Sequence, residues 1–307
     1  MFITINGQLG SGKSEVCLFF KNNYGFDIFS TGKIQREYAA NIGISTLELN
    51  ERSKEDFSLD YFIDKSLREY ANSHIEDNVI FDSRLAWHFV TNSFKVHLLV
   101  NPYVAAKRVF KNRNLKEESY ANEDETLKKL IERRSLEQKR YIDVYGISMN
   151  DFSNYDLVLD TTSLSIDMVC QIISNEYKNY ISGTTNKKLI VSPKNIYPTE
   201  GIRNINEKIL EEYRLKVRNH IEFEPIELIR ANDSLFILNG HHRVLAANLE
   251  NLGHINAILL YDENDVMSMN ITTKEYITIT PSDIYDWEDV NGFLFNYYPE
   301  IIKDWRN

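Results

Sequence analysis

The chain has 307 residues, 43% of them hydrophobic and 26% charged, which is enough apolar material for one large domain or two ordinary ones. A net charge of −10 argues against a protein whose main task is to coat nucleic acid or an anionic membrane. Cys17 and Cys170 have neither metal-ligand nor redox spacing, and the N-terminus lacks the basic lead and long apolar core of a signal peptide. These features predict buried thiols, a cytoplasmic location and no membrane span.

Short apolar runs alternate with helical spacing through the first half, which predicts an α/β fold: a parallel sheet flanked by helices. Strands are expected at 2–6, 26–30, 78–82, 95–100 and 156–160, and helices at 14–22, 34–42, 57–73, 102–113, 127–145 and 167–177. Between the first strand and first helix stands Gly7-Gln8-Leu9-Gly10-Ser11-Gly12-Lys13-Ser14, the G-x-x-x-x-G-K-[ST] pattern of a phosphate-binding loop. Its glycines let backbone N–H groups converge on phosphate oxygens at the positive end of the following helix. Gly7, Gly10, Ser11, Gly12 and Lys13 are therefore candidate nucleotide ligands, with Lys13 reaching the β/γ-phosphates and Ser14 holding Mg²⁺. The third strand ends in Asp82-Ser83-Arg84. At the carboxyl edge of a parallel sheet, Asp82 suits orientation of Mg²⁺ or acceptor and Arg84 suits a phosphate clamp; an ordinary surface ion pair is the competing reading. Lys107, Arg108, Lys111 and Arg113 precede a polar segment at 114–126, and Arg133, Arg134, Lys139 and Arg140 follow it. That layout suits a lid carrying cations over the phosphates.

These phrases occur in one order with Ser30-Thr31-Gly32-Lys33-Ile34-Gln35-Arg36, with Asp60 and Asp64, and with Lys139-Arg140-Tyr141 ahead of Tyr145-Gly146. Together they resemble cytidylate kinases of the compact archaeal type over residues 1–180. The resemblance implies ATP and Mg²⁺ as cofactors and a nucleotide or small-molecule acceptor. It places Ser30, Gly32, Arg36, Asp60, Asp64 and Arg84 on the acceptor, and Arg108, Arg113, Arg134 and Arg140 on the transferred phosphate. Thr31, Lys33 and Ser83 depart from the family pattern on the acceptor side.

Residues 181–187 are small and polar, and read as a linker. Beyond it, a strand is expected at 188–191, a helix at 206–219, strands at 225–230 and 235–238 around a turn at 232–233, a helix at 241–251 and a strand at 255–261. Asn239-Gly240-His241-His242-Arg243 ends a strand and opens a helix, a second anion-binding geometry. With Tyr197-Pro198-Thr199-Glu200-Gly201-Ile202-Arg203, it resembles the ParB/sulfiredoxin-like superfamily over 188–262. That resemblance implies a smaller α+β domain binding a second nucleotide or phosphorylated ligand through Gly240, His241, His242 and Arg243. Its serine-kinase branch implies Glu200 as a base. Asn239 replaces that branch's acid, so binding is favoured over catalysis; His241 replaces the sulfiredoxin cysteine. A nucleotide-gated DNA-binding regulator is the remaining alternative, and the acidic 283–289 stretch counts against it. Residues 263–307, with Trp287, Phe293, Phe295, Tyr297, Tyr298 and Trp305, are expected to pack on one of the domains.

Overall fold

The computed structural model describes residues 1–44, 49, 58–112, 120–184, 186–231, 233–262, 265, 266, 269, 279–292 and 295. Two compact units divide them: residues 1–161 with 165–187, and residues 162–164 with those from 188 onward.

In the first unit β1 (Phe2–Gly7), β2 (Asp27–Ser30), β3 (Val79–Asp82), β4 (Ser93–Leu99) and β5 (Leu157–Asp160) form a parallel array in the order β2-β3-β1-β4-β5. The apolar runs of β1, β3, β4 and β5 are buried on both faces: Ile3, Ile5, Ile80, Phe81, Val96, Leu98, Leu157 and Leu159 are at 0% exposure. That continuity marks a sheet covered by helices on both sides rather than an alternating one. The helices are α1 (Lys13–Tyr24), α2 (Thr31–Asn41), α3 (Ser58–Ser73), the single turn α4 (Ala86–Phe89), α5 (Pro102–Asn112), α6 (Glu123–Tyr145) and α7 (Ile166–Ile181). Phe20 of α1 and Tyr177 of α7 pack edge-on with Phe26, while Leu67 and Ala71 of α3 close over Val79 and Phe81. Cys17 and Cys170 are buried free thiols.

The register explains where chemistry can gather. Ser30 and Ile5 both stand opposite Asp82, so β2 and β3 end level while β1 continues two residues farther to Gly7. The chain leaves β1 toward β2 on one side and leaves its neighbour β4 toward β5 on the other, the switch point at which open parallel sheets bind ligands. Two helices begin earlier than the apolar spacing predicts, because caps set their ends. Ser30 Oγ accepts the Lys33 amide, so α2 starts at Thr31. Asn122 accepts the Glu125 amide, and Glu123, Asp124 and Glu125 complement the first turn of α6. The later part of the polar segment is therefore helix, while 113–119 lies outside the described residues, as do Phe57, Asn232, Phe293, Tyr297, Tyr298 and Trp305.

In the second unit β6 (Lys188–Val191), β7 (Ile226–Ala231), β8 (Ser234–Asn239) and β9 (Ile255–Tyr261) pair in the order β6-β9-β7-β8. β7 runs parallel to β9 and antiparallel to β8, and β6 antiparallel to β9. Helices α8 (Glu207–Arg218), α9 (His241–Leu249) and α10 (Pro281–Asn291) complete it. α10 was not foreseen as an element, although Thr280 and Asp283 form a reciprocal capping box ahead of buried Ile284 and Trp287.

One buried link ties the core of the first unit to its phosphate loop. Tyr155, 1% exposed, accepts from Asn6 Nδ2 at 2.8 Å and donates to the Met149 carbonyl at 2.8 Å. Asn6 Oδ1 in turn accepts the Gly7 amide at 2.7 Å. Tyr155→Phe strands two buried polar groups and is expected to destabilise the protein by about 1–3 kcal/mol, measured by denaturant unfolding.

Candidate active site

The loop between β1 and α1 is fastened before any ligand is considered. The Gln8 amide donates to the Leu98 carbonyl at 3.0 Å, and Gln8 Oε1 accepts the Val100 amide at 2.9 Å. Ser11 is buried, and its hydroxyl closes the loop on the Gln8 carbonyl at 2.7 Å. Gly10 has φ +79°, and a Cβ there would lie 2.9 Å from Ala105 Cα and carbonyl oxygen. No side chain fits that position. Gly12, at φ 90°, is the N-cap of α1. The loop is thus a bare-backbone cradle at a helix N-terminus, with Lys13 at the first helical position and Ser14 exposed beside it.

Two cations converge on one acceptor. Lys13 Nζ donates to the Gly7 carbonyl at 2.7 Å and to that of Gln8 at 3.1 Å; Arg84 Nη1 donates to the same Gly7 oxygen. Burial and the neighbouring Arg84 charge lower the Lys13 ammonium to about 7, against the raising pull of Asp82 and Glu137. Asp82 accepts from Ser30 Oγ at 3.3 Å, and a Cβ on Gly32 would lie 3.4 Å from Arg36 Nη1. Arg36 is exposed on α2. Arg108 reaches across from α5, donating to the Gly10 carbonyl at 3.2 Å and to the Thr161 carbonyl at 2.8 Å. The structure therefore brings Lys13, Ser30, Gly32, Arg36, Asp82, Arg84 and Arg108 to the strand ends, whereas Arg134 is half-buried on α6. Arg113 lies outside the described residues.

α6 faces α3 through paired side chains. Arg140 Nη2 meets Asp60 Oδ1 at 3.2 Å, and the Tyr145 hydroxyl donates to Asp64 Oδ2. Asp60 Oδ2 and Arg140 Nε are buried and make no hydrogen bond among the described residues. Burial raises the Asp60 carboxyl, with Arg140 pulling the other way. Asp64 and Tyr145 also line a cleft of about 440 Å³ with Tyr61, Lys65 and Arg68. Farther along α6, Glu137 Oε2 is ion-paired with Arg84 Nε at 3.1 Å while Oε1 accepts from Arg133 Nε at 3.0 Å. Sequence reasoning missed Glu137 and Gln8. The i,i+4 spacing of Arg133 and Glu137 was the available signal for the first; nothing in the sequence locates the partner of Gln8.

In the second unit, the phrase around Gly240 is largely occupied by its own chain. Gly240 has φ +120°, and a Cβ there would fall 2.6 Å from Ile226 Cγ2. Buried His241 accepts the Thr199 amide on Nε2 at 3.1 Å, which places its proton on Nδ1, 4.0 Å from Glu200 Oε2. Burial, helped by His242, lowers His241 to about 4, so the ring is neutral. His242 Nε2 accepts the Asn206 amide at 3.0 Å, and Arg243 donates to the carbonyls of Glu224 and Pro225 at 2.8 and 2.6 Å. Arg243 also reaches Asn239 Oδ1 at 3.2 Å. Glu200 keeps a half-exposed carboxylate, and its carbonyl accepts the Trp287 indole N–H at 2.9 Å. The imidazoles and guanidinium thus brace the turn that presents Glu200.

Burial pushes the Asp64 carboxyl up to about 6, the Tyr145 hydrogen bond opposing it, against 3.8 as its ordinary value. The folded state therefore holds this proton more tightly than the unfolded chain. Its stabilising contribution is full below about pH 4 and is lost as pH rises through about 6. Relative to Asp64→Asn, the wild-type melting temperature is expected to fall between pH 4 and pH 7; a constant difference across that range contradicts the assignment.

Residues 2–163 match the Cytidylate kinase-like family. A cytidylate kinase of Thermoplasma volcanium is 35% identical over 179 residues, which cover 57% of this chain and 90% of that protein. An S-adenosylmethionine-dependent nucleotide dehydratase of Lacinutrix mariniflava is 34% identical over 179 residues, covering 57% of this chain but 36% of the larger relative. Among solved structures, sulfiredoxin from Arabidopsis thaliana aligns at 17% identity over 27% of this chain and 98% of its own, with a TM-score of 0.24. Among the described residues no helix is long and apolar enough to cross a membrane. With a family match spanning more than half the chain, and a phosphate loop fastened at the ends of its parallel strands, this protein belongs to the cytidylate kinase-like family of ATP-dependent kinases.

Proposed function

We propose that the first unit transfers the γ-phosphoryl group of ATP to a nucleoside monophosphate, with CMP as the preferred acceptor. The observation that carries this reading is the meeting of Lys13 and Arg84 on the Gly7 carbonyl, one from the donor loop and one from the acceptor strand. Phosphoryl transfer asks for positioning and for positive charge at the moving group rather than for covalent chemistry. The Gly10 cradle, closed to any Cβ, fits a triphosphate held by backbone amides. Lys13 and the exposed Ser14 hydroxyl would hold the phosphates and Mg²⁺, which when bound neutralises charge between donor and acceptor. Arg84, Arg36 and Ser30 take the acceptor phosphate, and Asp82 orients the acceptor through Ser30. Arg108, tied to the Gly10 carbonyl, and Arg134 supply charge to the transferred group.

The acceptor preference rests on Asp60 and Arg140. Among the described residues each keeps one buried atom without a partner, an acceptor on Asp60 and a donor on Arg140. A base edge presenting an N–H donor beside a ring-nitrogen acceptor completes both. Cytosine and adenine have such an edge; uracil and guanine carry the donor on the ring nitrogen. The relatives named cytidylate kinase favour CMP of the two.

For the second unit the reading is a module for a second nucleotide or phosphorylated small molecule. The half-exposed Glu200 beside neutral His241 supports it.

A coupled assay with ATP and a panel of nucleoside monophosphates checks the first reading. CMP is expected to be converted to the diphosphate in preference to UMP and GMP, and Lys13→Met to reduce turnover about 100- to 1,000-fold. Conversion of no monophosphate, or UMP outrunning CMP, contradicts it.

A further inference from the structure

The site that gathers Lys13, Arg84 and Arg133 already contains an anion. Glu137 lies between two guanidinium groups, ion-paired with Arg84 Nε on one oxygen and accepting a hydrogen bond from Arg133 Nε on the other. Its side chain and that of Arg84 are each about one-fifth exposed. Burial alone would raise this carboxyl, yet Arg84, Arg133 and Lys13 together hold it below its ordinary value, so it is ionised. Arg84 is simultaneously held to the Gly7 carbonyl at the base of the phosphate loop. Carboxylate and phosphate are recognised by the same guanidinium geometry.

We infer that the Glu137 carboxylate is an internal counter-anion, occupying the place between Arg84 and Arg133 that a substrate phosphate takes, and that phosphate binding displaces it. In the unliganded state it keeps the guanidiniums from repelling each other and holds Arg84 over the loop. A substrate phosphate bearing more charge replaces it, and α6, which carries Glu137, is released from the acceptor strand end at that moment. Glu137 is thus a positioning residue acting through Arg84. The inference rests on the proposed phosphoryl-transfer site, and names the group that substrate must compete with.

A residue that merely supported the fold would weaken anion binding when altered, whereas an internal competitor strengthens it. Calorimetric titration of the full chain with inorganic pyrophosphate separates the two, since it needs neither acceptor nor turnover. Glu137→Gln keeps the shape and removes the charge; it is expected to bind pyrophosphate about tenfold more tightly than wild type, a change of about 1.4 kcal/mol. Glu137→Asp keeps the charge but shortens its reach, and is expected to fall between them, providing the same comparison should the first variant not fold. Equal or weaker pyrophosphate binding by the folded variant, or no binding by any form, overturns the inference. Loss of CMP phosphorylation with the pyrophosphate order intact would instead remove the acceptor assignment alone.

Discussion

The carbonyl of Gly7 is the point on which the kinase unit turns. It sits at the last residue of β1, accepts from Lys13 and Arg84 together, and is one residue from Asn6, which Tyr155 holds from below. Two cations share one oxygen only because the protein supplies compensating charge nearby. Glu137 meets Arg84 directly, while Asp82 and Glu137 both oppose the lowering of Lys13. In the proposed reading, a triphosphate and an acceptor phosphate add the further negative charge that these cations attract.

Around that point, side chains also fix the backbone and join the neighbouring helices. The Gln8 side chain fastens the loop to Val100 and the Ser11 hydroxyl closes it on the Gln8 carbonyl, so both side chains serve to hold the backbone in place. Arg108 braces the Gly10 carbonyl from α5, and the Asp60–Arg140 and Asp64–Tyr145 contacts join α3 to α6. The second unit follows a similar economy. His241, His242 and Arg243 hold the turn at Gly240, and the capped helix Pro281–Asn291 contributes Trp287 to the Glu200 loop.

The phosphate loop was legible because its chemistry is local: glycine spacing, a lysine and a hydroxyl between a strand and a helix specify it without distant partners. The parallel strands were legible as uninterrupted apolar runs. Helix starts were misjudged where Ser30 and Asn122 set the boundary, since a cap is a single polar residue that apolar periodicity ignores. Helix Pro281–Asn291 was hidden for the same reason, its capping box lying inside a stretch read as acidic and aromatic. Glu137 and Tyr155 were illegible because their meaning is long-range: Tyr155 meets Asn6 149 positions away, and Arg84 reaches Glu137 from another element. The phrase around His241 was legible as a turn, but the internal partners of its side chains depend on loops over 30 residues distant.

A crystal structure of the full chain with a non-hydrolysable ATP analogue and CMP tests the central claim most directly. The account predicts the triphosphate on the 7–14 loop, Lys13 turned from the Gly7 and Gln8 carbonyls onto it, and the CMP phosphate at Arg84. An empty loop with the analogue bound elsewhere in the chain would contradict it.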